Sequence, residues 1–178
     1  MGEWVLEVRQ GDQPFAHLLT SSSLVETFGH LKGRKDEDGE LLCIGVGRRK
    51  PTELVVLQRF ESHEGVFGPG LLLVPEADML FIGAGTRLLA YNLNGPTRLW
   101  EEFTEVGFSF WDRVGGVVLM SAELEFTAWT TRGDKLWTTF VEPPWSYRIE
   151  GDFLELDVMG RVSRFPVLTG PTGTGPTE

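Results

Sequence analysis

Along most of this chain, apolar residues either alternate with polar ones or form short unbroken runs, and glycine, proline, asparagine and aspartate punctuate them. Alternation with a period of two belongs to half-buried strands, and short apolar runs between turn residues belong to strands buried on both faces. Residues 4–9 read as a first strand closed by Gly11-Asp12. Ser23-Leu24-Val25-Glu26 has the S-x-x-E form in which a hydroxyl and a carboxylate cap each other's backbone amides, and it predicts one short helix from about Leu24 to Leu31. Asp38-Gly39 predicts a hairpin turn ahead of Leu41-Leu42. From residue 40 onward the pattern is strand, turn, strand. Strands are predicted over 40–46, 53–60, 71–74, 79–82, 87–93, 98–103, 107–111, 117–122, 125–131, 135–141, 147–149, 153–158 and 161–167. Pro143-Pro144 interrupts this succession, because proline cannot donate to a ladder.

The runs also repeat. Leu42-Cys43-Ile44-Gly45-Val46-Gly47 matches Leu80-Phe81-Ile82-Gly83-Ala84-Gly85, and Gly45 and Gly83 stand 38 residues apart. A further step of 38 reaches Val118-Leu119-Met120-Ser121-Ala122, where Ser121 takes the place of Gly83. The next strands echo as well: Ala90 and Ala128 are 38 apart, as are Gly95 and Gly133, while Trp100 and Trp137 are 37 apart. Arg113-Val114-Gly115-Gly116-Val117-Val118 lies on Arg148-Ile149-Glu150-Gly151-Asp152-Phe153 at an offset of 35. These matches define about four units, centred near residues 45, 83, 120 and 155, with the first the weakest. A period of this size with several short strands belongs to stacked or radial sheets. The expected fold is all-β, with about four repeated antiparallel units of about 38 residues, small or incomplete and propeller-like, and one short helix near the N-terminus. Residues 1–168 are expected to form one domain, and 169–178, which hold no apolar residue, a disordered Gly/Pro/Thr tail.

The repeating unit resembles a blade of β-propellers of the quinoprotein-like and WD kinds. Leu88-Leu89-Ala90-Tyr91-Asn92-Leu93 followed by Gly95 and Leu99-Trp100 carries the resemblance, as does Gly133 followed by Leu136-Trp137. It spans about residues 40–165 and implies antiparallel blades, without implying an activity. Two features depart from it. The Trp-Asp pair, Trp111-Asp112, stands away from the blade end where WD proteins carry theirs, and four units are fewer than those families close with. A small closed ring, an open stack that dimerises and a sandwich descended from repeats all remain compatible with the pattern. Residues 139–147 also resemble small uncharacterised bacterial proteins.

Composition narrows the function more than the fold. The chain has 178 residues, enough for one domain with a substantial core. No apolar run approaches the roughly 20 residues of a membrane helix, and no basic segment precedes an apolar one, so neither a membrane nor a secretory route is expected. Cys43 is the single cysteine, which excludes an internal disulfide and points to a reducing, cytoplasmic setting. The net charge is −10, and it is uneven. Residues 1–60 hold eight Lys/Arg against nine Asp/Glu, whereas residues 61–178 hold eight against seventeen. Such a surface repels nucleic acid and steers basic partners toward it.

Candidate chemistry is sparse. Gly45-x-Gly47 and Gly83-x-Gly85 open like dinucleotide loops, but Lys50 and Leu88 occupy the third glycine's position and no helix pattern follows. Asp36-Glu37-Asp38-Gly39 lacks the first and twelfth ligands of a calcium loop, which Arg34 and Gly45 would have to supply, and reads as a solvated turn. His17, His30 and His63 show no metal-ligand spacing. Glu123/Glu125 and Glu155/Asp157 are i, i+2 pairs that would share a strand face, as a hydrolytic acid–base pair needs but also as any wet strand face shows. Trp145 and Tyr147 beside Pro143-Pro144 form either an aromatic binding spot or a cap on the core.

The expected function is therefore a non-catalytic, intracellular protein-binding module with no cofactor and no metal. It would bind a basic protein through Glu123, Glu125, Trp145, Tyr147, Glu155 and Asp157. A concrete version is a bacterial immunity protein that neutralises a basic toxin. Two alternatives stand beside it: a small-ligand or carbohydrate binder stacking on Trp100, Trp111, Trp129 or Trp137, and a hydrolase using the paired carboxylates.

Overall fold

The computed structural model describes residues 3–11, 19, 22–29, 39–48, 52–61 and 67–172. Strands β1 (Val5–Gln10), β2 (Leu24–Phe28), β3 (Glu40–Gly47) and β4 (Leu54–Phe60) form the first sheet, in the order β1-β3-β4-β2. β5 (Gly70–Val74), β6 (Met79–Ala84), β7 (Arg87–Asn92) and β8 (Thr97–Phe103) follow as an antiparallel meander, with a single 3-10 turn at Pro75–Ala77. The third sheet repeats that plan with β9 (Phe108–Val114), β10 (Val117–Ala122), β11 (Glu125–Thr130) and β12 (Lys135–Phe140). The fourth has three strands: β13 (Trp145–Glu150), β14 (Phe153–Val158) and β15 (Arg161–Pro166). The predicted unit centres, residues 45, 83, 120 and 155, fall in β3, β6, β10 and β14, the second or central strand of each sheet.

The sheets stack face on face, and the architecture is propeller-like. A core lies in each gap. Leu42, Ile44, Val46, Leu54 and Val56 of the first sheet meet Leu80, Ile82, Leu89 and Tyr91 of the second. Met79, Phe81, Leu88 and Ala90 on the second sheet's other face meet Phe108, Val118, Met120 and Trp129. Leu119, Phe126, Ala128 and Trp137 then meet Leu154, Leu156 and Phe165. Strands β6 and β10 are consequently buried at every position, which is why they read as unbroken apolar runs. The fourth sheet differs. Its inner face is apolar, whereas Ser146, Arg148 and Glu150 on β13 are exposed, so it closes the stack as the polar-faced end repeat of an array does.

The joints between sheets two, three and four are alike. Trp100 on β8 donates its indole N–H to the carbonyl of Gly133 at 2.7 Å, and Trp137 on β12 donates to Val167 at 2.7 Å. Each Leu-Trp strand is thus pinned to a turn of the next sheet. Gly170, with φ of +70°, lies buried directly against the Trp137 ring. Residues 173–178 of the expected tail lie outside the described residues.

The first sheet is turned over. Arg48, just past the end of β3, bonds Asp78 at the start of β6 at 2.6 Å. Gln58, paired with Leu42 near the start of β3, donates to the carbonyl of Ala84 at the end of β6 at 2.9 Å. So β3 runs against β6 across the joint, whereas β9 runs with β5: Phe108 at the start of β9 lies over Gly70, and Arg113 near its end binds Glu76 just beyond β5. The matched triplets Leu42/Ile44/Val46 and Leu80/Ile82/Ala84 therefore face each other.

The N-terminal helix is corrected to a strand over its described part. Residues 24–28 form β2, which pairs parallel with β4, from Leu24 opposite Leu54 to Phe28 opposite Gln58. The amides of Ser23 and Leu24 are taken by the carbonyl of Glu53 at 3.0 Å each, so the Ser23 amide needs no capping carboxylate from Glu26. Glu26 points into the joint instead, where it accepts a 2.6 Å bond from Tyr91 and lies 3.6 Å from Arg98. The parallel pair also makes the first unit a mixed sheet, not an antiparallel one. Residues 36–38 of the expected hairpin, and His17, His30 and His63, lie outside the described residues.

Candidate functional site

One position in the repeat shapes the site. In β6, Gly83 faces the third sheet, and the Phe108 ring lies on it so closely that a Cβ there would sit 2.5 Å from the ring. Gly70, its cross-strand partner, makes the same room at 2.7 Å. The aromatic of the next sheet thus seals the joint because the floor is glycine. One step along, Ser121 replaces the floor glycine and Trp145, first residue of β13 as Phe108 is of β9, replaces the lid. With a side chain on the floor, the indole cannot settle onto the backbone. Trp145 instead packs against Phe126 at 5.2 Å between ring centres and donates to the carbonyl of Glu123 at 3.2 Å.

A cleft of about 410 Å³ remains. Phe67, Phe110, Ala122 and Trp145 supply its apolar lining, and Ser109, Ser121 and Glu123 its polar groups. Two further observations mark it. Ser121 is 1% exposed, and its hydroxyl has no hydrogen-bond partner among the described residues. The β9–β10 ladder slips at this point: Ser121 pairs with Phe110 and Ala122 with Phe108, leaving Ser109 as a bulge. Bulges at Ala90/Tyr91 and Ala128/Trp129 recur at the repeat spacing and are architectural. The bulge at Ser109 has no counterpart in the β5–β6 ladder, and bulges re-aim side chains. Phe110 beside it is 47% exposed.

The rim is acidic. The amide of Glu123 bonds the carbonyl of Gly107, and that of Val141 bonds Leu124, which ties the segments bearing Glu105, Glu123 and Glu142 together. Among the described residues these three carboxylates enter no ion pair, whereas Glu155 is held by Arg148 at 2.8 Å. Hydrogen bonding to Glu155 raises the Arg148 pKa, with the Glu155 and Glu150 charges adding to it.

The six residues nominated from sequence divide between four places. Glu123 and Trp145 meet at the cleft. Tyr147 sits in the third core, its hydroxyl 3.0 Å from Asp112 and its ring 4.7 Å from Phe126. Glu155 and Asp157 share a strand face, as expected, on the far side of the fourth sheet from the cleft, where Asp157 accepts the Gly160 amide at 2.8 Å. Glu123 and Glu125 do not share one, because the bend at 123–124 puts Glu123 outside the strand that Glu125 begins. Glu125 accepts a 2.7 Å bond from the Thr127 hydroxyl. Trp100, Trp111, Trp129 and Trp137 all pack in the cores, Trp100 and Trp129 stacked 5.3 Å apart. Phe67, Ser109 and Phe110 escaped the sequence reading. The signal for the place was Ser121, the position at which the repeat loses its glycine.

No family model and no curated protein matches this chain. Solved structures do resemble it. The computationally designed Ika4 protein is 14% identical, with a TM-score of 0.44 over 63% of this chain and 72% of its own. BamB from Moraxella catarrhalis is 16% identical, with a TM-score of 0.43 over 74% of this chain and 41% of its own. The computationally designed Ika8 protein is 13% identical, with a TM-score of 0.42 over 76% of this chain and 45% of its own. No helix among the described residues is long and apolar enough to cross a membrane.

Proposed function

We propose that this protein is a non-catalytic binding module that captures a basic protein partner at the joint between its third and fourth sheets. The observation that carries this reading is an aromatic-walled cleft lined by Glu123, which enters no ion pair among the described residues, with Glu105 and Glu142 on segments tied to the same stretch of backbone. Apolar walls supply contact area, and unpaired acids on a net-negative segment steer a cationic partner. The outer face of the fourth sheet is a weaker candidate, because Arg148 and Arg164 already engage Glu150 and Arg148 engages Glu155. The tryptophans that a sugar-binding reading would need are occupied in the cores. The most specific form, a bacterial immunity protein acting in the cytoplasm on a basic toxin, adds only the match between an acidic surface and a basic target. A panel of extended basic peptides, followed by amide and indole NMR shifts, tests the reading. Salt-sensitive shifts confined to Phe110, Ser121, Glu123 and Trp145 are expected. Shifts confined to β13–β15's outer face, or none at all, would overturn it.

A further inference from the structure

We infer that the cleft is a socket for an arginine side chain; this rests on the basic-partner reading above and names the group that the partner inserts. The residues make different demands on an occupant. The buried Ser121 hydroxyl, without a partner, needs a polar atom at the floor. The faces of Phe110 and Trp145 favour a flat, weakly hydrated group. The Glu123 carboxylate at the rim favours a cation with donors to spare. A guanidinium meets all three: it is planar, it stacks on aromatic rings, and its five N–H groups reach a hydroxyl oxygen and a carboxylate together. An ammonium is a compact, strongly hydrated charge with no flat face, and a sugar would present more hydroxyls than two serines and one glutamate can satisfy. The apolar stem of arginine suits the mostly apolar lining. The site is also built by local departures from the repeat, serine for the floor glycine and an unmatched bulge at Ser109, which the fold of the neighbouring sheet does without.

Three acetylated, amidated peptides differing only at one central residue, arginine, lysine or citrulline, titrated into the full-length chain by calorimetry, test this. The arginine peptide is expected to bind at least about tenfold more tightly than either of the others, the preference of a charge-assisted, stacked site. Phe110→Ala, at a half-exposed position, and Ser121→Ala should each cut that preference several-fold with the thermal transition preserved. Ser121→Gly, which restores the repeat residue, should let Trp145 settle onto the floor and abolish arginine selectivity, with the change visible in the Trp145 indole shift. If Ser121→Ala and Ser121→Gly bind the arginine peptide like the parent, the socket is wrong. Equal, salt-sensitive binding of arginine and lysine peptides also refutes the socket and leaves the basic-partner reading standing. Failure of all basic peptides to bind refutes both.

Discussion

Glycine and aromatic residues are paired through this protein, and the pairs set the spacing between sheets. At Gly83 an added Cβ would meet three atoms of the fully buried Phe108 ring at 2.5–2.6 Å. Gly83→Ala is therefore expected to cost about 1–3 kcal/mol, the usual penalty of overpacking, read as a lower urea midpoint with unchanged slope. Phe108→Leu in the same chain should recover part of that loss; a Gly83→Ala protein as stable as the parent would show that the ring is free to move. The tyrosines offer a second test at this scale. The chain has two, Tyr91 against Glu26 and Tyr147 against Asp112, and burial first, then the neighbouring carboxylate, pushes both phenols above their ordinary range. A raised folded value favours the protonated form, so the stability it contributes is whole below about pH 10, where unfolded tyrosine ionises, and is lost as pH rises beyond that. Phenolate absorbance should appear only together with the loss of near-ultraviolet circular dichroism. Ionisation of either tyrosine at moderately alkaline pH with native dichroism intact would contradict the burial.

Among the elements, β2 depends most on a few polar contacts. Tyr91 and Arg98 hold Glu26, while Arg87 reaches the carbonyl of Gly29 at 3.0 Å and lies over the Phe28 ring at 5.0 Å. Glu26→Ala leaves Tyr91 without its acceptor, and a loss of about 1–3 kcal/mol is expected. Hydrogen exchange should accelerate in β2 first while β6 and β10 stay protected, because local opening follows the least buried contacts. The same strand shows where the sequence misleads. Leu24, Glu26 and Phe28 do alternate inward, but one of the three inward members is a carboxylate, so the S-x-x-E spacing wins unless the Tyr91 and Arg98 partners are known. Those partners lie more than sixty residues away. Strands from β3 onward were legible because β6 and β10 are covered on both faces and their turns carry glycine at positive φ, as at Gly133 and Gly151. The inversion of the first sheet was not. Leu42-Cys43-Ile44-Gly45 and Leu80-Phe81-Ile82-Gly83 match in sequence yet turn the same face toward each other, and a linear repeat carries no sign of which face turns toward its neighbour. The cleft was half legible: Glu123 and Trp145 were within reach, but Phe67 and Phe110 come to it from other parts of the chain.

At the scale of the whole molecule, the polar-backed fourth sheet puts the acidic groups in two distinct settings. Residues 61–178 carry the charge imbalance, with seventeen acids against eight bases, so the net charge of this segment favours approach of a cationic partner. Glu155 and Asp157 contribute to that charge from the outer face of the fourth sheet, where Arg148 binds the first and the Gly160 amide the second. Glu123 contributes to that charge and also stands at the mouth of the cleft. Long-range steering acts on association, whereas a contact in the bound state acts on dissociation. Reversing Glu155 and Asp157 together should therefore slow association with a basic ligand at low salt and leave dissociation within about twofold, and the effect should vanish as the Debye length falls to about 8 Å at physiological ionic strength and below. Glu123→Lys should slow association less per molecule, since one charge changes and not two, yet speed dissociation about tenfold or more, as loss of a directly paired charge does. Stopped-flow measurement of both rates across a salt series separates the two settings. Equal effects on dissociation from the two faces would place the bound partner across the fourth sheet and away from the cleft.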